Sequence, residues 1–291
     1  MKVLVVGGDG MLGHRLLLEL RHAHEVRVTL RRPLGAYAGH GLYSPDNAEP
    51  GVDVRDFAAV LDVLDRFRPE AVVNAAGIVK QRPEARSAVL SIEVNALFPQ
   101  RLAAACRRAG IRLVHLSTDC VFSGRRGGYS EADEPDPQDL YGRTKLLGEV
   151  DDGACLVLRC SIIGLELGNR LGLVEWFLAQ PPGTTVDGWR RAVYTGLTTA
   201  EMARVIDQAL AGHPELTGLW HVAAAPTGKY DLLRALAAKL GRDVEVRPDD
   251  SVRCDRSLAA DRFRLATGWD PPTWDELLGE LAGQVREREG A

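Results

Sequence analysis

The sequence lacks long apolar runs: none approaches the roughly 18 residues that a helix needs to cross a bilayer. Its first residues, Met1-Lys2, lead directly into a strand-like segment, without the apolar stretch and small-residue cleavage site of a signal peptide. We therefore expect a cytoplasmic protein that does not have a membrane as its partner.

Cysteine is scarce and unpatterned. The chain has five cysteines, an odd number at irregular spacings, and no C-x-x-C motif. This pattern argues against a disulfide framework and against a structural zinc site. We predict free thiols in a reducing compartment, and no metal.

The chain also lacks a strong excess of charge. Its 36 Lys and Arg residues and 40 Asp and Glu residues give a net charge of −4, so nucleic acid or an acidic membrane surface is not an expected partner. With 45% hydrophobic and 26% charged residues, the composition is that of a soluble globular protein. A chain of 291 residues can form one large domain or two smaller ones.

What the chain does have is a regular alternation of short apolar segments and amphipathic ones. Predicted strands cover 2–6, 25–30, 52–54, 71–75, 111–117 and 155–160, and predicted helices cover 11–22, 57–67 and 90–109. Continuous β-branched runs, such as KVLVV at 2–6, are typical of strands buried on both faces. The alternation predicts an α/β fold with a Rossmann-type doubly wound parallel sheet.

After Cys160 the alternation loosens, which indicates a smaller second lobe. A helix at 199–211 and a strand at 219–223 can rejoin the sheet, so the predicted Rossmann domain comprises 1–163 and 193–225. The predicted substrate-binding lobe comprises 164–192 and 226–291 and is mostly helical, with helices near 230–240 and 274–286.

A glycine-rich turn follows the first predicted strand and opens the first helix. It fits two frames, Gly7-x-x-Gly10-x-x-Gly13 and Gly8-x-Gly10-x-x-Gly13. Glycines in this context allow a tight turn and let the backbone approach a pyrophosphate at the helix N-terminus. The turn predicts a dinucleotide site whose contacts are Gly7, Gly10, Met11, Leu12 and Gly13.

The second predicted strand ends at Arg31-Arg32. A chain selective for NAD usually places an acidic residue there for the ribose 2′-hydroxyl, whereas guanidinium groups suit a 2′-phosphate. We therefore predict NADP(H) as the cofactor. Asp53, followed by Val54, is placed to accept a hydrogen bond from the adenine amino group.

Tyr141 and Lys145 are four residues apart and share a face if their segment is helical. An ammonium group beside a phenol lowers the phenol pKa, which makes tyrosine a usable proton donor or acceptor at neutral pH. Ser117 and Thr118 end a predicted strand, and strand alternation sends their hydroxyls to opposite faces. Only one of the two can therefore reach the site.

These motifs resemble those of the extended short-chain dehydrogenase/reductase superfamily, and within it the branch of dTDP-4-dehydrorhamnose reductase. The resemblance covers most of the chain and is carried by Gly7-x-x-Gly10-x-x-Gly13, Asn74-Ala-Ala-Gly77, Asn95-Ala96, Ser117-Thr118-Asp119, Val121-Phe-Ser-Gly124 and Tyr141-x-x-x-Lys145. At one position the chain departs from the branch: related sequences often have Tyr after Ser-Thr-Asp, and this chain has Cys120.

The resemblance implies a catalytic set. Tyr141 would be the general acid for a substrate ketone, and Thr118 would orient the reacting oxygen. Lys145 would hold the nicotinamide ribose and lower the pKa of Tyr141. The further cofactor contacts that it implies are Arg31 or Arg32 at the 2′-phosphate, Asn74, Ala75, Ala76 and Gly77 beside the fourth strand, and a helix-bending Asn95.

Substrate contacts are less sharply indicated. Lys80 and Gln81 follow the fourth predicted strand and would face the nicotinamide end of the cleft in this fold, although ordinary loop polarity explains them about as well. Trp176 could stack on a base or sugar, and its amphipathic setting also suits a core position. The candidates for a diphosphate clamp are, in order, the pair Arg190 and Arg191, then Arg253 and Arg256.

The resulting hypothesis is NADPH-dependent reduction of the C4 ketone of a nucleotide-linked 4-keto-6-deoxyhexose. The sequence is compatible with a homodimer. Two alternatives stay open. One is an NAD-dependent sugar-nucleotide epimerase or dehydratase, against which Arg31-Arg32 argues. The other is a non-catalytic NADP-binding regulatory subunit, like that of methionine adenosyltransferase, a relative of this branch. The sequence does not identify the base, the hexose or the stereochemistry at C4.

Overall fold

The structure is a computed structural model that describes residues 1–168 and 170–290. Its strands are β1 (Lys2–Val6), β2 (Glu25–Leu30), β3 (Ala48–Pro50), β4 (Ala71–Asn74), β5 (Arg112–Thr118), β6 (Leu156–Cys160), β7 (Ile162–Ile163), β8 (Thr184–Trp189), β9 (Ala192–Tyr194), β10 (Leu197–Thr198), β11 (Gly218–His221), β12 (Thr227–Gly228), β13 (Val244–Asp249) and β14 (Cys254–Asp255). Its α-helices are α1 (Gly13–Leu20), α2 (Phe57–Phe67), α3 (Ala88–Ile92), α4 (Phe98–Ala109), α5 (Leu140–Leu147), α6 (Leu173–Leu178), α7 (Thr199–Gly212), α8 (Lys229–Leu240), α9 (Asp261–Thr267) and α10 (Trp274–Gly290).

Seven strands form one sheet in the order β3-β2-β1-β4-β5-β6-β11. Every neighbouring pair in it is parallel. The strand order reverses between β1 and β4, and ligands of open α/β sheets bind in the crevice at such a point. The predicted Rossmann-type sheet is confirmed.

Both faces of the sheet are buried, as the apolar sequence of β1 requires. Val3 and Val5 belong to one core, with α1 and α7, whereas Leu4 and Val6 belong to a second core, with α2 and α4. Consecutive residues of one strand therefore pack into different layers. Within the described residues, no helix has the length and apolar character that a membrane crossing requires.

The third strand begins earlier in the chain than the sequence predicts. A strand was expected at 52–54, but β3 is Ala48–Pro50, paired with Val28–Leu30 of β2. Val52 still donates a backbone hydrogen bond to the carbonyl of Leu30, at 2.9 Å, but the chain then turns at Asp53, whose carboxylate accepts from the backbone nitrogen of Arg55 at 3.0 Å. This local turn ends the pairing and leaves Asp53 at the mouth of the crevice.

The long helix expected at 90–109 is interrupted. Between α3 and α4 the residues Glu93–Leu97 form a π-helical turn. In a regular α-helix the nitrogen of residue 99 would donate to the carbonyl of residue 95, but Pro99 has no N–H. The freed carbonyl of Asn95 lies against Gly148, where a Cβ atom would overlap it.

The smaller lobe carries strands that the sequence did not predict. Its core joins α6, α8 and α10 to β8 and β13, and includes Phe177, Val186, Leu236, Val244 and Leu278. Strands β8 and β13 pair in parallel, and β9 pairs with β12 and β14. Strand β9 spans the predicted domain boundary at 192–193. Its partners β12 and β14 both belong to the predicted lobe, so this small sheet joins the two predicted domains.

The glycine turn brings α1 against the end of β1. Gly7 has a φ of 90°, and a Cβ atom there would lie 2.9 Å from the backbone of Ala76. A Cβ atom on Gly13 would overlap the carbonyl oxygen of Gly7. The turn therefore depends on the absence of side chains at both positions.

We expect Gly13→Ala to lower the melting temperature by several degrees, because the helix must move away from the turn to admit the methyl group, at a cost of about 1–3 kcal/mol. Thermal unfolding followed by circular dichroism measures the change. Gly39→Ala is the control, because a Cβ atom there meets open space. Equal melting temperatures for the two variants would contradict the packing argument.

Candidate functional site

Two adjoining cavities open at the carboxyl ends of the parallel strands. The smaller, of about 330 Å³, lies beside the ends of β1, β2 and β3, and the larger, of about 500 Å³, extends from the glycine turn to the lobe. Both are lined by Gly10 and by the segment 75–77 after β4. Together they form one continuous crevice at the switch point of the sheet.

The glycine turn forms the floor that the two cavities share. Its first glycine, Gly7, donates its N–H to the hydroxyl of Thr29 at 3.0 Å, which anchors the turn to β2. Gly10 lines both cavities, and Met11 and Leu12 line the larger one. A backbone exposed in this way, at the start of a helix, suits the phosphates of a dinucleotide.

The two arginines after β2 lie in different surroundings. Arg31 lines the smaller cavity, whereas the guanidinium of Arg32 lies over the ring of Tyr37, 5.6 Å from its centroid. Asp53 and Val54 also line this cavity. The carboxylate of Asp53 accepts two hydrogen bonds from the Arg55 side chain, at 2.9 and 2.6 Å, which hold the pKa of Asp53 below its usual value.

The segment after β4 is held by two buried amides. Asn74 accepts from the backbone nitrogen of Ala76 at 3.2 Å, and its amide nitrogen is 3.0 Å from Nδ1 of His115. Asn95 accepts from the backbone nitrogen of Ile78 at 2.8 Å and donates to its carbonyl at 2.9 Å. These bonds fix the apolar wall formed by residues 75–78, and the small side chains at 75–77 let a ligand approach the backbone.

The hydroxyls of Ser117 and Thr118 have different partners, although both residues line the larger cavity. Ser117 donates to Glu149 at 2.5 Å, and the same carboxylate accepts from Arg159. Thr118 accepts from the backbone nitrogen of Cys120 and donates to Asp119, both at 3.1 Å. The hydroxyl of Thr118 is thus held beside the larger cavity by its own chain.

Helix α5 places Tyr141 and Lys145 in the larger cavity. Asp139 caps the helix by accepting from the backbone nitrogen of Gly142 at 2.7 Å. Burial raises the pKa of the Tyr141 phenol, and the neighbouring Thr118 hydroxyl offsets this only in part. The ammonium of Lys145 donates to the carbonyl of Leu116 at 2.5 Å, and burial lowers its pKa to about 8. The expected lowering of the Tyr141 pKa by Lys145 is therefore not seen here, because burial dominates.

Burial also shifts the pKa values of two other groups of this wall, Asp119 and Cys120. Burial raises the pKa of the Asp119 carboxyl, and it raises the pKa of the Cys120 thiol to about 12. Cys120 is therefore a packing residue rather than a nucleophile. In the described part of the chain, no three His, Cys, Asp or Glu side chains are grouped as metal ligands would be.

On the substrate side, Lys80 and Gln81 line the larger cavity. The cavity is also lined by residues that the sequence did not single out: Trp189 and Lys229 of the predicted lobe, and Tyr194. Arg256, a lower-ranked candidate, also lines it and donates to the carbonyl of Phe122 at 2.9 Å. These residues come from β8, β9, α8 and the segment after β14, which only the pairing of distant strands brings together.

Three predicted substrate contacts lie elsewhere. Trp176 on α6 is 41% exposed and does not line the cavity, so it is neither a contact there nor a core residue. Arg190 is paired with Asp250 on the surface, with 3.0 Å from Nε to Oδ1, and Arg191 is exposed beside it. Neither arginine lines the cavity, so this structure does not support a diphosphate clamp at these positions.

Comparison with known proteins agrees with this geometry. A family model described as RmlD substrate binding domain matches residues 1–284. The dTDP-4-keto-6-deoxy-D-glucose reductase of Streptomyces niveus is 33% identical over 264 residues, which cover 86% of this chain and 83% of that protein. The probable low-salt glycan biosynthesis reductase Agl14 of Haloferax volcanii is 32% identical over 316 residues, which cover 97% of each.

Two further similarities complete the comparison. The methionine adenosyltransferase 2 subunit beta of Rattus norvegicus is 30% identical over 254 residues, covering 81% of this chain and 71% of that protein. The solved structure of the Bacillus anthracis dTDP-4-dehydrorhamnose reductase in complex with NADP has a TM-score of 0.77, with 97% of this chain and 99% of that chain covered. Its sequence identity is 21%, so this likeness shows the fold alone.

Proposed function

Because the chain belongs to the RmlD substrate-binding domain family, we propose that it reduces the C4 ketone of a nucleotide-linked 4-keto-6-deoxyhexose with NADPH. The observation that carries the proposal is the convergence of Thr118, Tyr141 and Lys145 in one cavity that continues to the glycine turn. A proton donor and a dinucleotide-binding backbone then share one crevice, which is the arrangement that ketone reduction needs.

The cofactor part of the proposal is supported by the smaller cavity. The bare backbone at Gly7 and Gly10 suits a pyrophosphate, and Arg31 supplies a cation where the adenosine ribose of a dinucleotide would lie. Val52, Val54 and Ala76 give the same cavity apolar walls for the adenine ring. The similar Bacillus anthracis reductase was solved with NADP, which agrees with this choice.

Bound NADPH would supply the hydride to the ketone carbon, so the chain itself must deliver a proton to the ketone oxygen. Tyr141 is the donor in this proposal, since the raised pKa of its phenol keeps the proton on the oxygen at neutral pH. Thr118, which lines the same cavity, holds the reacting oxygen in line. Lys145, one helical turn away, favours the negative charge that remains on Tyr141 after transfer.

We expect Tyr141→Phe to lower kcat by about 10²- to 10⁴-fold, because the proton donor is lost while the ring still fills its place. NADPH oxidation with a 4-keto-6-deoxyhexose nucleotide measures kcat, and nicotinamide fluorescence measures NADPH binding, which should be nearly unchanged. Tyr230→Phe, outside the cavity lining, is the matched control. Undiminished turnover by Tyr141→Phe would refute the mechanism.

The substrate diphosphate is proposed to lie at a cluster of Lys80, Lys229 and Arg256. None of the three forms an ion pair with a carboxylate within 4.0 Å among the described residues. Burial, and after it the charge of Lys80, lowers the pKa of Lys229. Cations crowded together at one cavity without paired counter-charges favour a bound anion.

We expect Lys229→Ala to raise KM for the nucleotide sugar about tenfold or more, since a charge-assisted hydrogen bond to phosphate is lost. Steady-state kinetics with varied sugar nucleotide at saturating NADPH give the value. Arg190→Ala is the control and should leave KM within about twofold. A larger rise in KM for Arg190→Ala than for Lys229→Ala would contradict this proposal and indicate that the diphosphate binds at the turn between β8 and β9.

The two alternative functions are separated by net consumption of NADPH. An epimerase or dehydratase would turn substrate over without net NADPH oxidation. A regulatory subunit would bind the cofactor without reducing any keto sugar, and the similarity to methionine adenosyltransferase 2 subunit beta keeps this alternative relevant. The intact set of Thr118, Tyr141 and Lys145 favours the reductase.

We also propose a homodimer. Val89, Ile92, Leu97 and Leu147 are between 42% and 66% exposed, and lie along α3, the π-helical turn and α5, which pack side by side. Such a face on two neighbouring helices suits a second copy of the chain. Light scattering should give twice the 31.7 kDa of one chain, and the pair Val89→Glu with Leu147→Glu should give one chain. A monomeric wild-type chain would refute this proposal.

A further inference from the structure

The smaller cavity contains an acidic residue that the sequence around β2 does not supply. Asp9, in the middle of the glycine turn, lines this cavity together with Thr29 and Arg31. An acidic side chain at the end of the second strand is what NAD-selective sites use to hold the ribose 2′-hydroxyl. Here the strand itself ends in arginines, and the acid comes from another part of the chain.

Tyr37 fixes the position of Asp9. Its hydroxyl donates to Oδ2 of Asp9 at 2.8 Å and accepts from the backbone nitrogen of Arg32 at 3.2 Å. Because the two bonds share the Tyr37 oxygen, the Asp9 carboxylate is tied to the residue directly after Arg31. The carboxylate therefore lies beside the position where a 2′ substituent would be read.

A second tyrosine fastens the same segment to the turn. Tyr43 donates to the carbonyl of Gly8 at 2.7 Å, and its ring packs edge-to-face on Tyr37 with 5.5 Å between centroids. Tyr37 thus holds the Asp9 carboxylate at the cavity, and Tyr43 fixes both the Tyr37 ring and the backbone next to Asp9.

Asp9 and Arg31 give the cavity opposite charges. Arg32 lies over the Tyr37 ring and does not line this cavity, so Arg31 is the member of the pair that does. The carboxylates of Asp9, Asp53 and Glu84 also line it; Asp53 is paired with Arg55, whereas Asp9 is held by Tyr37. Arg31 attracts a 2′-phosphate. A carboxylate repels that phosphate but accepts a hydrogen bond from a 2′-hydroxyl.

We propose that Asp9 is a specificity-determining residue that reduces the preference for NADPH over NADH and lets the chain bind both. This inference rests on the dinucleotide part of the proposed function. Arg31 sets the preference for the phosphate, and Asp9 limits it by about tenfold, the effect of one nearby like charge of about 1.4 kcal/mol.

The test measures Kd for NADPH and for NADH by nicotinamide fluorescence, without any sugar substrate. Asp9→Asn keeps the size of the side chain and an oxygen for Tyr37 but removes the charge, so the ratio of NADH Kd to NADPH Kd should rise about tenfold. The rise should shrink in high salt. Tyr37→Phe, which frees the carboxylate, should raise the ratio by a smaller factor. Asp46→Asn, exposed and outside this cavity, is the control for net charge.

The outcomes separate the two levels of the proposal. Binding of both dinucleotides with a ratio that Asp9→Asn and Tyr37→Phe leave within twofold of the wild-type value overturns the role of Asp9 and leaves the dinucleotide site standing. Binding of neither dinucleotide by the wild-type chain overturns the dinucleotide site and, with it, the role of Asp9. An equal change in the ratio of the two Kd values in Asp46→Asn would show that net charge, and not the position of Asp9, causes the effect. That result would also overturn the proposal.

Discussion

The geometry of the crevice depends on two hydrogen bonds between the side-chain amide of Asn95 and the backbone of Ile78. The same amide nitrogen reaches the hydroxyl of Thr144, at 3.3 Å, in the helix that carries Tyr141 and Lys145. One buried side chain therefore joins the wall after β4 to the helix that carries Tyr141. It can do so because Pro99 breaks the regular bonding of its helix, and the resulting π-helical turn brings Asn95 and its carbonyl to the surface that α5 covers.

Burial sets the electrostatic character of the crevice. The pKa values of Tyr141, Lys145 and Asp119 are each shifted toward the neutral form, and burial is the largest cause in all three. Burial in this wall therefore disfavours the charged forms: it strengthens the hold of Tyr141 and Asp119 on their protons and weakens that of Lys145. The cations of the same cavity without an ion-pair partner among the described residues include Lys229 and Arg256, which suits a ligand that also carries an anionic group.

Local sequence patterns were sufficient where structure is decided by neighbours along the chain. The sequence predicted α2 with its observed bounds and identified β1 as a strand buried on both faces. It also placed the glycine turn correctly, since a turn of this kind is a property of a few consecutive residues. The family resemblance then selected Thr118, a choice that agrees with the hydroxyl that the structure places beside Tyr141.

Patterns failed where distant segments decide the outcome. The pairing of β9 with β12 and β14 brings Arg256 beside Lys80, and no local period announces it. The Asp9 carboxylate is held near the end of β2 by its hydrogen bond from Tyr37. Arg190 is paired on the surface with Asp250, which is sixty residues away along the chain. The strand expected at 52–54 was displaced because pairing with β2, rather than apolar character, determines where β3 lies.

The late addition of β11 to the sheet has a consequence for how the chain folds. Its partner β6 ends at Cys160, and β11 begins at Gly218. Residues 164–192 of the predicted lobe therefore lie, along the chain, between two strands that must pair. The edge of β6 stays unpaired until the segment between β6 and β11 brings the two strands together. Closing a loop of this length costs conformational entropy before the contacts between the strands can form. We therefore expect completion of the sheet, rather than formation of its central strands, to be a slow step, with β6 the edge most exposed to wrong partners meanwhile.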